Sequence, residues 1–185
     1  MKKIISLVLA LIMCAGALCA CGQSNETTNV SLYDLSRVML DATEFGDMTY
    51  VSSADDGAGD LFTYLSDFEY DKVAQFFLAY ATDGKGNADE LAVVQVKNKL
   101  DLDAAVKSLQ AHLEKRVNLY RTYDPTQSAK IEKGEVFTVN DLAVLIVSEN
   151  NAAVKSACLS ALENANLDQG EVIIADDLDA VGKSN

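Results

Sequence analysis

Three carboxylates crowd into one short stretch at Asp55, Asp56 and Asp60, and no basic side chain stands between Arg37 and Lys72. Oxygen ligands at that density suit weak binding of a hard cation. The plainer reading is a hydrated acidic loop, because blocks of like charge stay solvated. A second group, Asp89 and Glu90, places two adjacent carboxylates where a polar loop gives way to the apolar run "LAVV". Carboxylates entering an apolar element are what general acid–base chemistry uses, provided the fold brings a substrate to them. Asp55, Asp56, Asp60, Asp89 and Glu90 are therefore the candidate surface site.

Other chemistries find fewer of the parts they need. His112 is the sole histidine, so no second imidazole is available for the usual zinc sets, and its position on the flank of an amphipathic stretch marks a boundary residue. The segment "DGKGNADEL" begins like a calcium loop at Asp83. Its third position is Lys85, its sixth Ala88 and its twelfth Val94, where an oxygen ligand, a glycine and a bidentate glutamate belong. A hairpin connection is the better account. No glycine-rich phosphate loop follows a strand, and Ser156 beside Lys155 lacks the spacing of a known mechanism. Cys158 falls on an apolar helix face, where an unpaired thiol behaves as a small hydrophobe. No catalytic residue, metal site or cofactor is expected.

Residue 21 is the remaining reactive side chain. Lys2 and Lys3 precede an uncharged apolar run over 4–20, the layout of an export leader. As a helix, 4–21 reaches about 27 Å, short of the roughly 30 Å hydrocarbon core, so a lasting span is disfavoured. Leu18, Cys19, Ala20 and Cys21 then resemble the bacterial lipobox: Leu, two small residues and the cysteine that takes a diacylglyceryl group. Met13 before Cys14 and Leu18 before Cys19 exclude those cysteines as acceptors. Cleavage is thus expected between Ala20 and Cys21, with Cys21 lipidated. Two acyl chains hold a protein on a membrane where one binds marginally, at about 0.8 kcal/mol per buried methylene. An ordinary secretory signal cut nearby is the alternative. The polar stretch 22–29, "GQSNETTN", reads as a flexible tether, and the one thiol left besides Cys21 rules out a disulfide framework.

Loss of 1–20 removes Lys2 and Lys3 and no acid, taking the net charge from −13 to −15. Such acidity opposes nucleic acid, whose affinity comes from Lys and Arg neutralising phosphates. The length remaining suits one domain.

Elements follow from periodicity. Ser31 and Asp34 open a helix with Leu32, Leu35, Val38, Met39, Ala42 and Phe45 on one face before Gly46. The stretch 47–60 reads as an acidic loop, and 61–68 as a short helix. Strands are expected over 73–82 and 91–97, rich in Val, Phe and Tyr. Asp101 caps a long helix to about Tyr123, with Leu102, Val106, Leu109, Leu113, Val117 and Tyr120 as its stripe. Pro125 begins a short helical turn that Gly134 ends. Strands over 136–139 and 142–148 flank an Asn140-Asp141 turn, and a helix with Val154, Ala157, Cys158, Ala161 and Leu162 inward closes the domain. The expected organisation is a leader over 1–20, a lipidated tether over 21–30, one α+β domain over 31–165 and an acidic flexible tail over 166–185. Its architecture is two-layer, αα-ββα-ββα, with a four-stranded antiparallel sheet from two hairpins and helices on one face.

The segment "ADELAVVQVKN" from Ala88, the helix end "YRTYDPTQ" and the hairpin "GEVFTVNDLAVLIVSEN" together resemble the bacterial lipoprotein family catalogued as domain of unknown function 4358. The resemblance covers about 32–158. This chain departs at its turn, where the family often has Gly then an aromatic and here Asp141 and Leu142 stand. The resemblance implies a lipobox and location, and no known activity, ligand or catalytic residue. The expectation is a non-enzymatic lipoprotein at the extracytoplasmic face of the cell membrane. Its partners would be the membrane, through the anchor, and an envelope protein or ligand. An envelope enzyme using Asp89 and Glu90, or a purely structural surface protein, are the alternatives.

Overall fold

The computed structural model describes residues 31–82 and 87–164. The expectations for the leader 1–20, for cleavage and lipidation at Cys21, for the tether to residue 30 and for the tail 166–185 lie outside the described residues.

Ser31 starts α1 (Leu32–Leu40): its hydroxyl accepts from the Asp34 N–H at 3.3 Å, satisfying one of the donors a helix start leaves orphaned. The helix ends at Leu40, short of Gly46, and the chain straightens into β1 (Met48–Ser52). α2 (Ala58–Leu65) follows Gly57, whose φ of 75° is a backbone conformation that glycine adopts without steric cost. β2 (Val73–Ala81) and β3 (Glu90–Val96) come next, then the long α3 (Leu102–Tyr123) and α4 (Pro125–Glu132). Asp124 separates these two helices, its carboxylate accepting from the Gln127 N–H at 3.1 Å with Pro125 at the first helical position. β4 (Glu135–Val139), β5 (Leu142–Val147) and α5 (Asn151–Asn164) complete the order. Asn140 has a φ of 55°, so the tight turn between β4 and β5 forms where the sequence places it.

The sheet is antiparallel throughout and has five strands in the order β1-β2-β3-β5-β4, where four were expected. The extra strand is β1, within the stretch read as a loop. Its acidic, glycine-containing surroundings hide five residues, "MTYVS", which pair along β2 in the register Tyr50↔Ala79. A short edge strand needs only one neighbour and little periodicity, so its signal is weak. β3 and β4 each run antiparallel to β5 and are parallel to each other, joined by α3 and α4 crossing over.

The two-layer expectation is also corrected. Helices cover both faces, making three layers. Phe76, Leu78, Ala92, Val94, Leu145 and Val147 face α2, α3 and α4, while Phe77, Ala79, Leu91, Val93, Val144 and Ile146 face α1 and α5. Adjacent strand residues point to opposite sides, so Phe76 and Phe77 anchor different cores, each burial contributing about 1.5–3 kcal/mol. Every residue of β3 and β5 is buried, which an apolar strand tolerates only between two covering layers.

Gly134 closes α4 against the sheet. A β-carbon there would stand 2.9 Å from the Ile131 carbonyl oxygen and from Leu113 Cδ1, so the tight passage from α4 into β4 requires glycine's missing side chain.

Candidate functional site

Glu90 occupies the first position of β3 and, two residues from Ala92 and four from Val94, faces the layer of α3. Strand alternation thus forces a carboxylate into the interior, where an isolated ion costs several kcal/mol. α3 answers with two side chains four residues apart on one face. His112 Nε2 stands 2.9 Å from Glu90 Oε1, and since a carboxylate only accepts, that nitrogen carries the proton. Arg116 Nη1 donates to Glu90 Oε2 and Nη2 to the Ala88 carbonyl at 3.2 Å. Burial pushes the Glu90 carboxyl up, but the His112 hydrogen bond and the Arg116 charge outweigh it and hold the group below the usual carboxylate range.

Asp89, just before the strand, is bound separately. Lys130 from α4 forms an ion pair with its Oδ1. Asn87 Nδ2 donates to Oδ2 at 3.0 Å, and the Gly46 N–H reaches the same oxygen at 3.4 Å. Lys130 also meets Glu149 Oε1 at 2.9 Å and Asn87 Oδ1 at 3.3 Å. Burial lowers the affinity of Lys130 for its proton, yet the bonds to Asp89 and Glu149 prevail and its pKa is raised. The Ala88 N–H donates to Gln127 Oε1 at 2.9 Å. These two adjacent ionic groups, meeting at the Ala88 backbone, together tie the α1–β1 link at Gly46, the entry to β3, α3, α4 and the β5–α5 turn.

Asp55, Asp56 and Asp60 lie at the other end of β1. Thr49, near its start, is level with Tyr80 and through it with Glu90, whereas Ser52 at its end is level with Phe77. Asp55 closes a turn, its N–H donating to the Ser52 carbonyl at 3.2 Å and its carboxylate accepting from the Ser52 N–H. Asp56 and Asp60 are exposed, Asp60 in the first turn of α2. The fold thus brings Asp89 and Glu90 together with cations and leaves the other three apart from them. Among the described residues no group of three or more His, Cys, Asp or Glu could hold a metal ion.

Sequence reasoning placed His112 at a boundary, as its half-buried side chain is, but missed Glu90 as its partner. The i, i+4 spacing of His112 and Arg116 was the available signal. Also missed was a polar chain at the far end of β3, where Gln75 Nε2 donates to Gln95 Oε1 at 2.8 Å and Gln95 Nε2 to Asp141 Oδ2 at 3.0 Å. Cys158 is fully buried within the layer of α1 and α5, and burial pushes its thiol up to about 12, far from the activated range of a nucleophile. Chemically, the Asp89–Glu90 cluster fixes elements in place, because each carboxylate already has a cation bonded to it.

Residues 48–148 match the family model described as domain of unknown function (DUF4358). No curated protein and no solved structure matches the chain.

Proposed function

Since the chain belongs to the family of domain of unknown function 4358, whose matched span runs from β1 through β5, we propose that it is a membrane-anchored extracytoplasmic lipoprotein acting as a binding or accessory module. The observation that carries this reading is the series Leu18, Cys19, Ala20, Cys21 at the end of an uncharged run opened by Lys2 and Lys3. Ten residues from Cys21 to Ser31 extend to at most about 35 Å, enough to hold a small domain close to the bilayer surface. The ionic cluster supports binding over catalysis. Asp89 and Glu90 are the carboxylates an enzyme would draw on, and both serve to hold α3 and α4 on the sheet.

Anchoring is tested by mass spectrometry of the membrane-bound protein. The mature chain should begin at Cys21 with a diacylglyceryl adduct, and Cys21→Ser should abolish both the adduct and the cleavage. An unmodified residue 21 in the finished protein sinks the anchor. Crosslinking in intact cells should recover a reproducible envelope neighbour. Hydrolysis of a wall or peptide substrate by the purified protein, with no such neighbour, would favour the enzyme instead.

A further inference from the structure

We propose that the edge of β4 that the described residues leave open, with the groove beside it, is where this module takes its partner, and that the partner segment is an extended, basic peptide. The inference rests on the binding-module reading and deepens it. β4 stands at the end of the described sheet and pairs with β5 alone. On an antiparallel edge every second residue turns its N–H and C=O outward, ready to pair with another extended chain. Natural edges are blunted by shortness, by charged side chains (lysine above all), by proline or by a bulge. β4, five residues reading "EVFTV", has no lysine, proline or bulge, and its one charge, Glu135, is offset by Lys155.

Alongside this edge lies a shallow open groove of about 540 Å³ between Glu135 of β4 and one flank of α5, lined by Lys155, Ser156, Leu159, Ser160 and Glu163. Leu159 offers an apolar floor and the serines leave room for side chains. Lys155 is held aside, 2.8 Å from Glu135 Oε2 and 4.8 Å from the centre of the Phe137 ring. A strand added to β4 would thus direct alternate side chains into the groove, the arrangement through which strand addition gains specificity.

Charge selects the occupant. The groove is lined by two acids, Glu135 and Glu163, and one cation, Lys155, which pairs with Glu135, so Glu163 leaves the groove net negative. A second copy of the mature chain, at −15, is repelled. The chain's own residues 165–185 hold five acids against Lys183, the opposite of the charge this groove attracts. An extended segment with lysine or arginine flanking apolar residues meets Glu163 and Leu159.

The test uses the full-length protein in detergent and a short fluorescent peptide of alternating lysine and valine. A companion peptide has the same side chains but N-methyl groups on alternate amides, which removes backbone donors and leaves charge unchanged. The first should bind with amide protection at 135–139, and the methylated one about tenfold more weakly. Ser156→Tyr, an uncharged filling of the groove at an exposed position, should weaken the first peptide to a similar degree. Equal binding of the two peptides, or no effect of Ser156→Tyr, overturns the proposal by showing unsited charge attraction. Tighter peptide binding after truncation at Asn164, or a dimer dissociated by the peptide, assigns the edge to the tail or to a second copy and overturns it too. Because none of these readouts involves the lipid, their failure is distinct from failure of the Cys21 anchor.

Discussion

His112 Nε2 and Glu90 Oε1 stand 2.9 Å apart across the gap between α3 and β3, with only 4% of the Glu90 side chain exposed. A carboxylate held that deep at the start of a core strand is tolerated because α3 delivers two donors to it, one to each oxygen. The pair joins a layer of helices to the sheet at a point where apolar packing alone would have left a strand end loose.

Removing one cation from this cluster should cost more than removing an ion pair whole. Arg116→Ala leaves Glu90 buried with His112 alone and should destabilise by about 3 kcal/mol. Glu90→Leu with Arg116→Met, apolar and of similar volume, should recover most of the loss. Urea unfolding midpoints of the wild type and the two variants decide it: a mild Arg116→Ala, or a double variant worse than the single, contradicts the account.

Acid should weaken the wild type through Glu90. Its folded pKa lies below the ordinary 4.5, so its contribution is complete above that value and disappears as pH falls through the lower, folded one. Lys130 is the mirror case, raised above 10.5, with a contribution complete below that pH and lost as pH climbs through the folded value. Melting temperatures should thus drop more steeply on acidification for the wild type than for Glu90→Gln, and more steeply in strong base than for Lys130→Met. Parallel curves would remove these groups from the linkage.

Cys158 should resist alkylation while the protein is folded. With its thiol pushed up to about 12, on the order of one molecule in ten thousand carries the thiolate at mild alkaline pH. Peptide mapping after iodoacetamide treatment should find residue 158 unmodified in the native protein and modified in urea. Rapid native labelling would mean that the α1–α5 layer opens easily.

Gly134→Ala should lower stability by about 1–3 kcal/mol, the range for forcing atoms into a packed site. The added methyl meets a backbone oxygen and the side chains of Leu113 and Val147, and the backbone oxygen cannot rotate away. A shift in the chemical denaturation midpoint without change in its slope is the expected signature. An unchanged midpoint would show that α4 yields at no cost.

Local sequence carried the helices and hairpins because their signals are local. The Ser31 cap, the stripe from Leu102 to Tyr120, the Asp124-Pro125 break and the Asn140-Asp141 turn each depend on neighbours within a few residues. β1 escaped because an edge strand of five residues draws its stability from β2, some thirty residues away in the chain. The second helical layer escaped because burial on both faces depends on where α1 and α5 land. The unbroken apolar runs of β3 and β5 were its trace.

The same division holds for the charges. By itself the sequence determined which acids exist, the acidity of the chain and the expectation that Cys21 is the lipid acceptor, since composition and linear motifs need no third dimension. Only the tertiary structure decided which acids are buried and what answers them. Glu90 meets His112 and Arg116, and Asp89 meets Lys130, across 22 to 41 positions of chain, because strand alternation fixes the direction of one partner and helix packing the position of the other.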